Sequence, residues 1–216
     1  MQQETKQVHV STVVIGGGAA GMVAAIALKR ARNRVILCEK TAQLGKKILA
    51  SGNGRCNILN EDLQAKYYNA AARKLVGSVY SRFGKEHILT FFKELGLETF
   101  SKEGRIFPVT NQAASVLRVL EIELRRLAVP VVYGFKCTGI SYSKTEFSVT
   151  SESTKTIVCQ NVVLTGGGKS FPSFGSDGSA FEIARQLGHN IIESILCVVP
   201  LIVKDTLCLL LQGQKI

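Results

Sequence analysis

One stretch near the start of the chain constrains the fold more than any other. Val8 to Ile15 is β-branched and apolar enough for a buried strand, three consecutive glycines follow, and Ala20 to Arg30 is rich in helix-forming residues. The pattern predicts a strand, a tight turn and a helix. Val35 to Glu39 predicts a second short strand, so the segment is a βαβ unit of an α/β protein.

The glycine turn indicates dinucleotide binding. Residues 16–21 read Gly-Gly-Gly-Ala-Ala-Gly, which is G-x-G-x-x-G placed between a predicted strand and a predicted helix. Gly16 permits the tight turn, Gly18 lets the backbone approach a pyrophosphate, and Gly21 allows close packing of helix and strand. Ala19 and Ala20 follow at the helix N-terminus, whose N–H groups attract phosphate. The alternative is a structural turn that binds no nucleotide.

Glu39 supplies the acidic residue that such a site requires. It stands 18 residues after Gly21, at the end of the second predicted strand, where its carboxylate can accept hydrogen bonds from ribose hydroxyls. Its charge disfavours a 2′-phosphate, so adenosine diphosphate with a free ribose is the better ligand. The alternative is a solvated strand end.

Basic residues follow Glu39 in a segment with little periodicity, which we predict to be a long ordered loop with one turn of helix. Lys40, Lys46, Lys47 and Arg55 would lie at the carboxyl edge of the sheet and complement phosphates. Lys40 and Lys46 could equally form a solvated face. That alternative is weaker for Arg55, which a glycine and a cysteine flank.

Length, composition and charge exclude several other classes of protein. The chain has 216 residues, 46% of them apolar, and a net charge of +11, which excludes a fibre, a disulfide miniprotein and a disordered chain. The charge favours anionic partners. A nucleic-acid binder is motivated by this charge alone, because neither a helix-turn-helix signal nor an aromatic-interleaved basic stripe is present. We therefore expect no nucleic-acid partner.

The sequence also lacks the usual signals for a membrane span, for disulfides and for a metal site. The segment from His9 to Leu28 lacks charged residues, but the glycines interrupt it, so we expect no membrane span. The six cysteines include no CxxC pair, as in the reduced thiols of a cytoplasmic protein. We expect no metal site. The acid or base residue and the oligomeric state stay open.

The rest of the chain predicts a mixed set of elements. Helical patterns cover 73–81, 85–95, 112–126 and 179–187, a hairpin covers 97–109, and strand patterns cover 131–133, 136–142, 146–151, 156–159 and 161–165. We expect a β-meander over 131–160 and Gly188 as the C-cap of the last helix. On the helix at 112–126 the expected buried face contains Val116, Val119, Leu120, Ile122, Leu124 and Leu127.

Several motifs together resemble the BaiN-like, aminoacetone-oxidase-like family of NAD(P)/FAD-dependent oxidoreductases. They lie at residues 16–21, 39–40, 44–57, 104–108, 165–172 and 188–189. The run Ser-Gly-Asn-Gly-Arg-Cys-Asn at 51–57 is the most specific of them. The resemblance extends from about Val10 to the end of the chain.

This resemblance implies a Rossmann-like flavoprotein domain with FAD along the first βαβ unit and NAD(P)H or a small organic substrate as electron donor. It implies that the ADP half lies on the glycine turn and Glu39. It also implies a second glycine turn close to the cofactor, formed by Thr165, Gly166 and Gly167. The path from pyrophosphate to flavin would be lined by Lys47, Ser51, Gly52, Gly54, Arg55, Cys56 and Asn57. Cys56 could be a redox thiol or a packing residue of this loop.

Two departures from the family pattern affect these expectations. After Pro172 the family has Gly-Ser-Thr-Gly-Asp-Gly-aromatic, whereas Ser179 and Ala180 replace the last Asp and Gly here. Family members are also longer. We therefore expect residues 1–196 to be an FAD-binding domain without its C-terminal return segment, and 197–216 to start an inserted substrate-side domain. Such a chain should bind FAD weakly, and the alternative is a truncated, catalytically inactive dinucleotide-binding module.

Overall fold

The computed structural model describes residues 8–195. The strands within this range are β1 (Val8–Ile15), β2 (Val35–Glu39), β3 (Leu59–Asn60), β4 (Thr99–Lys102), β5 (Arg105–Pro108), β6 (Val131–Tyr133), β7 (Cys137–Ser143), β8 (Glu146–Ser151) and β9 (Thr156–Leu164). The α-helices are α1 (Ala19–Arg30), α2 (Lys46–Ala50), α3 (Ala70–Arg82), α4 (Lys85–Glu94), α5 (Ala113–Arg126) and α6 (Ser179–Gln186). The part of the chain expected to start a second domain, 197–216, lies outside the described residues.

The main sheet has the order β6-β2-β1-β9-β8-β7. Strands β6, β2, β1 and β9 are parallel, and β8 and β7 continue the sheet as antiparallel neighbours. The predicted α/β, Rossmann-like class is thus confirmed. Because Ile15 at the end of β1 is in register with Cys38 and with Leu164, the residues that follow β1, β2 and β9 meet at one edge of the sheet.

The β-meander is shorter than the sequence predicted. It consists of β7, β8 and β9, whereas Val131–Tyr133 pairs in parallel with β2, with Tyr133 opposite Glu39. The physical reason is the helix α5 that precedes β6, because a helical crossover returns the chain to lay down a parallel strand. The assignment of β6 to the meander was therefore wrong.

The two strands predicted at 156–159 and 161–165 are one strand, β9. The strand runs through Gln160 and Asn161, the polar residues at the predicted boundary, and both of them are exposed. Its pairing with β8 ends at Cys159, whereas its pairing with β1 continues to Leu164. Within residues 8–195 the second half of β9 is therefore a sheet edge, and its apolar side chains are only half-buried.

Two apolar layers cover the faces of the main sheet. The larger one includes residues of α1, α2 and α5, and the other lies among the meander and α6. On α5, Val116, Leu120 and Leu124 are buried at a spacing of four residues, while Val119 and Leu127 are partly buried. Ile122 is 47% exposed, because it lies on the opposite side of the helix from Leu120. Its predicted burial was wrong.

Local signals account for several other boundaries. The hairpin predicted at 97–109 is confirmed as β4 and β5, with Glu103 and Gly104 at positive φ in its turn. Helix α3 begins earlier than predicted because the side chain of Asn69 accepts a hydrogen bond from Ala72 N–H at 3.0 Å. After α6, Gly188 takes the left-handed conformation and donates to Arg185, which confirms the predicted C-cap.

Candidate functional site

The glycine turn after β1 is shaped by two glycines that no larger residue could replace. Gly16 has φ +107°, and a Cβ there would lie 2.6 Å from the carbonyl oxygen of Thr165. A Cβ on Gly21 would overlap the carbonyl oxygen of Gly16. These contacts confirm the predicted structural roles of both residues, namely the tight turn and the close approach of α1 to the strand.

Gly18 has a different environment, because it faces open space. Apart from Gly18 itself and its two chain neighbours, no residue of the described chain has an atom within 4 Å of the position that its Cβ would occupy. Its φ of −77° is accessible to any residue, so the backbone conformation does not require glycine here. The absence of a side chain instead leaves the start of α1 accessible to a ligand.

The N-terminus of α1 is electrostatically suited to an anion. Within residues 8–195 no side chain caps its first N–H groups and its first turn contains no acidic residue. Ala19 and Ala20 of that turn are exposed. The unpaired N–H groups and the positive end of the helix dipole therefore face the open space beside Gly18.

Glu39 binds the glycine turn directly. Its Oε2 accepts a hydrogen bond of 2.7 Å from Gly17 N–H, and its Oε1 accepts one of 2.7 Å from Thr41 N–H. An ionised carboxylate has about four acceptor positions, so ribose hydroxyls could still donate to it. The side chain thus fixes the turn as well as supplying acceptors at the end of β2.

The predicted second glycine turn lies against the first. Thr165 N–H donates to the carbonyl oxygen of Ile15 at 2.8 Å, and its Oγ1 lies 2.8 Å and 3.0 Å from the carbonyl oxygens of Ile15 and Gly16. Gly167 has φ +77°, and a Cβ there would lie 2.8 Å from the Ser176 hydroxyl. The ends of β1 and β9 are thereby locked together.

The segment after β2 folds back onto the same turn. Gly45 N–H donates to the carbonyl oxygen of Gly17 at 2.9 Å, and α2 starts immediately afterwards with Lys46 and Lys47. A 3₁₀ turn at Ser51–Gly54 follows, so the predicted ordered loop with a helical turn is confirmed. Burial raises the pKa of the Cys56 thiol despite a hydrogen bond with Ser51, which favours packing over thiolate chemistry.

These segments surround one cleft of about 1090 Å³. The structure brings most of the predicted cofactor-binding residues to its wall, namely Gly16, Gly18, Ala19, Ala20, Glu39, Lys40, Lys47, Ser51, Cys56, Asn57, Thr165, Gly166 and Gly167. Gly21, Gly52, Gly54 and Arg55 lie outside this lining. Gly21 is instead buried between α1 and the turn.

For Arg55 the solvated-face alternative was the weaker one, but the structure does not place this residue on the cleft wall. Its guanidinium carbon lies 5.1 Å from the centre of the Phe107 ring, and its Nε donates to the carbonyl oxygen of Gly52 at 3.3 Å. The guanidinium therefore packs on the aromatic ring of β5 and does not line the cleft. Lys40, Lys46 and Lys47 do line it.

Sequence reasoning missed part of the cleft. Its lining also includes Phe135, Lys136 and Cys137 at the start of β7, the loop at 174–176, and side chains of α4 such as His87 and Phe91. No local motif marks these residues, because they reach the cleft through tertiary packing. Cys38 at the cleft floor is not a reactive thiol, since burial, with Cys137 and Cys159 nearby, raises its pKa to about 12.

An ion pair crosses from the end of β2 to the loop before α6. Lys40 Nζ lies 2.8 Å from Asp177 Oδ1. Asp177 also accepts hydrogen bonds from the backbone N–H of Ser179 at 3.1 Å and from its hydroxyl at 2.7 Å. The bonds from Lys40 and from Ser179 hold the pKa of the Asp177 carboxyl well below its usual range.

Two kinds of feature are absent from residues 8–195. In that range no cluster of three or more His, Cys, Asp or Glu side chains is arranged to hold a metal ion. The same part of the chain contains no helix that is both long and apolar enough to cross a membrane. Its four cysteines are buried free thiols.

Comparison with known proteins identifies the group to which this architecture belongs. Residues 10–200 match the family described as the HI0933-like protein Rossmann domain. The chain belongs to this family. Among its relatives is the 3-dehydro-bile acid delta(4,6)-reductase of Clostridium scindens, which is 41% identical over 193 residues, covering 88% of this chain and 47% of the relative. The predicted resemblance is thus confirmed.

A second relative has a lower sequence identity to this chain. The ribosomal RNA dihydrouridine synthase of Escherichia coli is 28% identical over 190 residues, covering 87% of this chain and 47% of its own length. The HI0933-like chain therefore spans about half the length of the curated relatives that it matches.

The solved structure of a 3-ketosteroid-delta4-(5alpha)-dehydrogenase from Rhodococcus jostii RHA1 shares the fold. It superimposes with a TM-score of 0.65 at 15% identity, covering 87% of this chain and 56% of that one. At this identity the similarity concerns the architecture alone.

Proposed function

We propose that the cleft binds FAD and that the chain is the cofactor-binding part of a flavin-dependent oxidoreductase. The observation that carries this proposal is the open space at Gly18, where the uncapped start of α1 faces the cleft. A pyrophosphate fits such a site because N–H groups and the helix dipole both favour negative charge.

The residues around this point fit the other parts of the cofactor. Glu39 at the end of β2 would accept hydrogen bonds from the adenosine ribose, and Lys46 and Lys47 at the start of α2 would face the phosphates. Thr165–Gly167, which lie against the first glycine turn, would also pass close to the cofactor. Bound FAD would supply the hydride chemistry, while these residues would hold and orient it.

The family relatives support an oxidoreductase with a small-molecule substrate. The 41%-identical relative is named as a bile acid reductase, whereas the relative named for ribosomal RNA is only 28% identical. We propose NAD(P)H or a small organic molecule as the electron donor, and a cytoplasmic location. These assignments concern the whole protein, of which the chain resembles about half of each relative's length.

The reduction of bound flavin tests the activity. The purified chain is loaded with FAD, freed of excess cofactor, and mixed under anaerobic conditions with NADH or NADPH while the absorption spectrum is recorded. Bleaching of the flavin bands would support the oxidoreductase. Bound FAD that neither nicotinamide bleaches would exclude NAD(P)H as the donor, which leaves a small organic donor or the second candidate function, a dinucleotide-binding module without its own catalysis.

A further inference from the structure

The Lys40–Asp177 ion pair lies at the end of the cleft where Glu39 is found. Lys40 follows Glu39 directly, and its side chain is 21% exposed while its ammonium group lies 2.8 Å from the Asp177 carboxylate. Both Lys40 and the neighbouring loop residues Gly175 and Ser176 line the cleft. Lys40 is therefore part of the cleft wall, whereas Asp177 lies outside the lining and contacts the buried Nζ of that lysine.

The local backbone is built to bring these two side chains together. Gly175 has φ +96°, and a Cβ there would lie 3.3 Å from Lys40 Cε, so the glycine makes room for the lysine stem. The Asp177 carboxylate is fixed by the N–H and hydroxyl of Ser179 at the start of α6.

A cation next to the ribose carboxylate matters for dinucleotide selection. Sites of this fold accept a 2′-phosphate when a basic side chain nearby can contact it, and reject it when an acidic residue binds the 2′-hydroxyl. Here both residue types are adjacent, as Glu39 and Lys40. Which one dominates depends on whether the lysine charge is available to a ligand.

We infer that Asp177 is a specificity-determining residue that occupies Lys40 and so makes the site reject a dinucleotide with a 2′-phosphorylated adenosine ribose. This inference rests on the proposed function, because it assumes that the ADP half binds beside Glu39. With Lys40 held in the ion pair, the repulsion between the Glu39 carboxylate and the 2′-phosphate is not offset by the neighbouring lysine. Freed from Asp177, the ammonium group could donate to that phosphate.

The test compares ADP with 2′-phosphorylated ADP by isothermal titration calorimetry on the full chain. Asp177→Asn is the main variant, because the amide oxygen can still accept from Ser179 while the charge is lost. Glu182→Gln is the matched control, since it removes one negative charge from α6 at an exposed residue that pairs with Arg185. The double variant Asp177→Asn/Lys40→Met removes the freed cation as well.

We expect wild type and Glu182→Gln to prefer ADP, and Asp177→Asn to gain about tenfold in affinity for the 2′-phosphorylated ligand relative to ADP. The double variant should lose that gain. Unchanged relative affinity in Asp177→Asn, an equal gain in Glu182→Gln, or a gain that survives in the double variant would overturn the inference. Wild type that binds neither ligand would instead contradict the proposed function.

Discussion

The carboxylate of Glu39 accepts a hydrogen bond of 2.7 Å from the backbone N–H of Gly17. The residue expected to read the ribose therefore also fixes the turn that would carry the pyrophosphate. Because the second oxygen accepts from Thr41 N–H, the carboxylate links the ends of β1 and β2 to the start of the following loop. Recognition and local stability depend on the same side chain.

Glu39→Gln should consequently weaken both the fold and ligand binding. Both backbone partners are donors, so the amide nitrogen of glutamine would face an N–H group and leave it unpaired. We expect a loss of about 1–3 kcal/mol in the free energy of unfolding, measured by urea denaturation, together with weaker ADP binding. The exposed Glu98→Gln is the control. Equal stability of the two variants would show that the Gly17 contact is unimportant.

Gly18→Ala should affect binding without affecting the fold. The added methyl group would enter open space, so the free energy of unfolding should change by less than about 1 kcal/mol. The methyl group would obstruct a pyrophosphate, and we expect ADP affinity to fall at least about tenfold. Gly139→Ala is the matched control, because no described residue other than its chain neighbours has an atom within 4 Å of that Cβ position either and the residue is in β7. Unchanged ADP affinity in Gly18→Ala would argue against a phosphate at the start of α1.

Gly21→Ala, in contrast to Gly18→Ala, should destabilise the fold itself. Its methyl group would overlap the carbonyl oxygen of Gly16 and lie 2.8 Å from Thr165 Oγ1, which forces α1 away from the strand. Overpacking at a rigid backbone contact should cost about 3 kcal/mol, visible as a lower urea midpoint in the absence of any ligand. A variant as stable as wild type would mean that helix and strand can separate freely here.

Glu123 should make stability depend on acid pH. This buried carboxylate accepts from Arg126 Nε at 2.6 Å and from Arg30 Nε at 3.0 Å, and hydrogen bonding to Arg126 is the main reason that its pKa is lowered from 4.5. A lowered pKa gives stability that is present above pH 4.5 and is lost as the pH falls through the folded-state pKa.

Glu123→Gln should therefore cost about 1.5–3 kcal/mol at neutral pH, and less as the pH falls below 4.5. Urea denaturation at a series of pH values measures both effects. Glu152→Gln, which breaks an exposed pair with Lys136, should change stability by less than about 1 kcal/mol. A constant cost of Glu123→Gln at every pH would contradict the assigned ionisation.

Local sequence patterns predicted most elements of the fold because they depend on neighbouring residues. The βαβ unit, the hairpin of β4 and β5, and the Gly188 cap all have short-range signals. The partner of β6 depended on the path of α5 instead. The continuity of β9 through the exposed Gln160 and Asn161 was missed. Strand pairing is decided by tertiary contacts that composition does not encode.

In the candidate site, too, the residues of local motifs were predicted and the long-range partners were not. Gly16, Gly18 and Glu39 follow from a motif with a known physical basis. The Lys40–Asp177 pair joins residues 137 positions apart, and Arg55 packs on an aromatic ring of β5. A side chain's charge predicts its affinity for phosphate, but its partner in the fold decides whether that charge is available.

Equilibrium dialysis of the full chain against FAD tests the central claim most directly, with Gly18→Ala dialysed in parallel and circular dichroism recorded for both proteins. The account predicts saturable uptake of one FAD per chain by wild type, displacement by ADP, and much weaker uptake by a Gly18→Ala variant that remains folded. A folded wild-type chain without saturable FAD uptake would contradict the account.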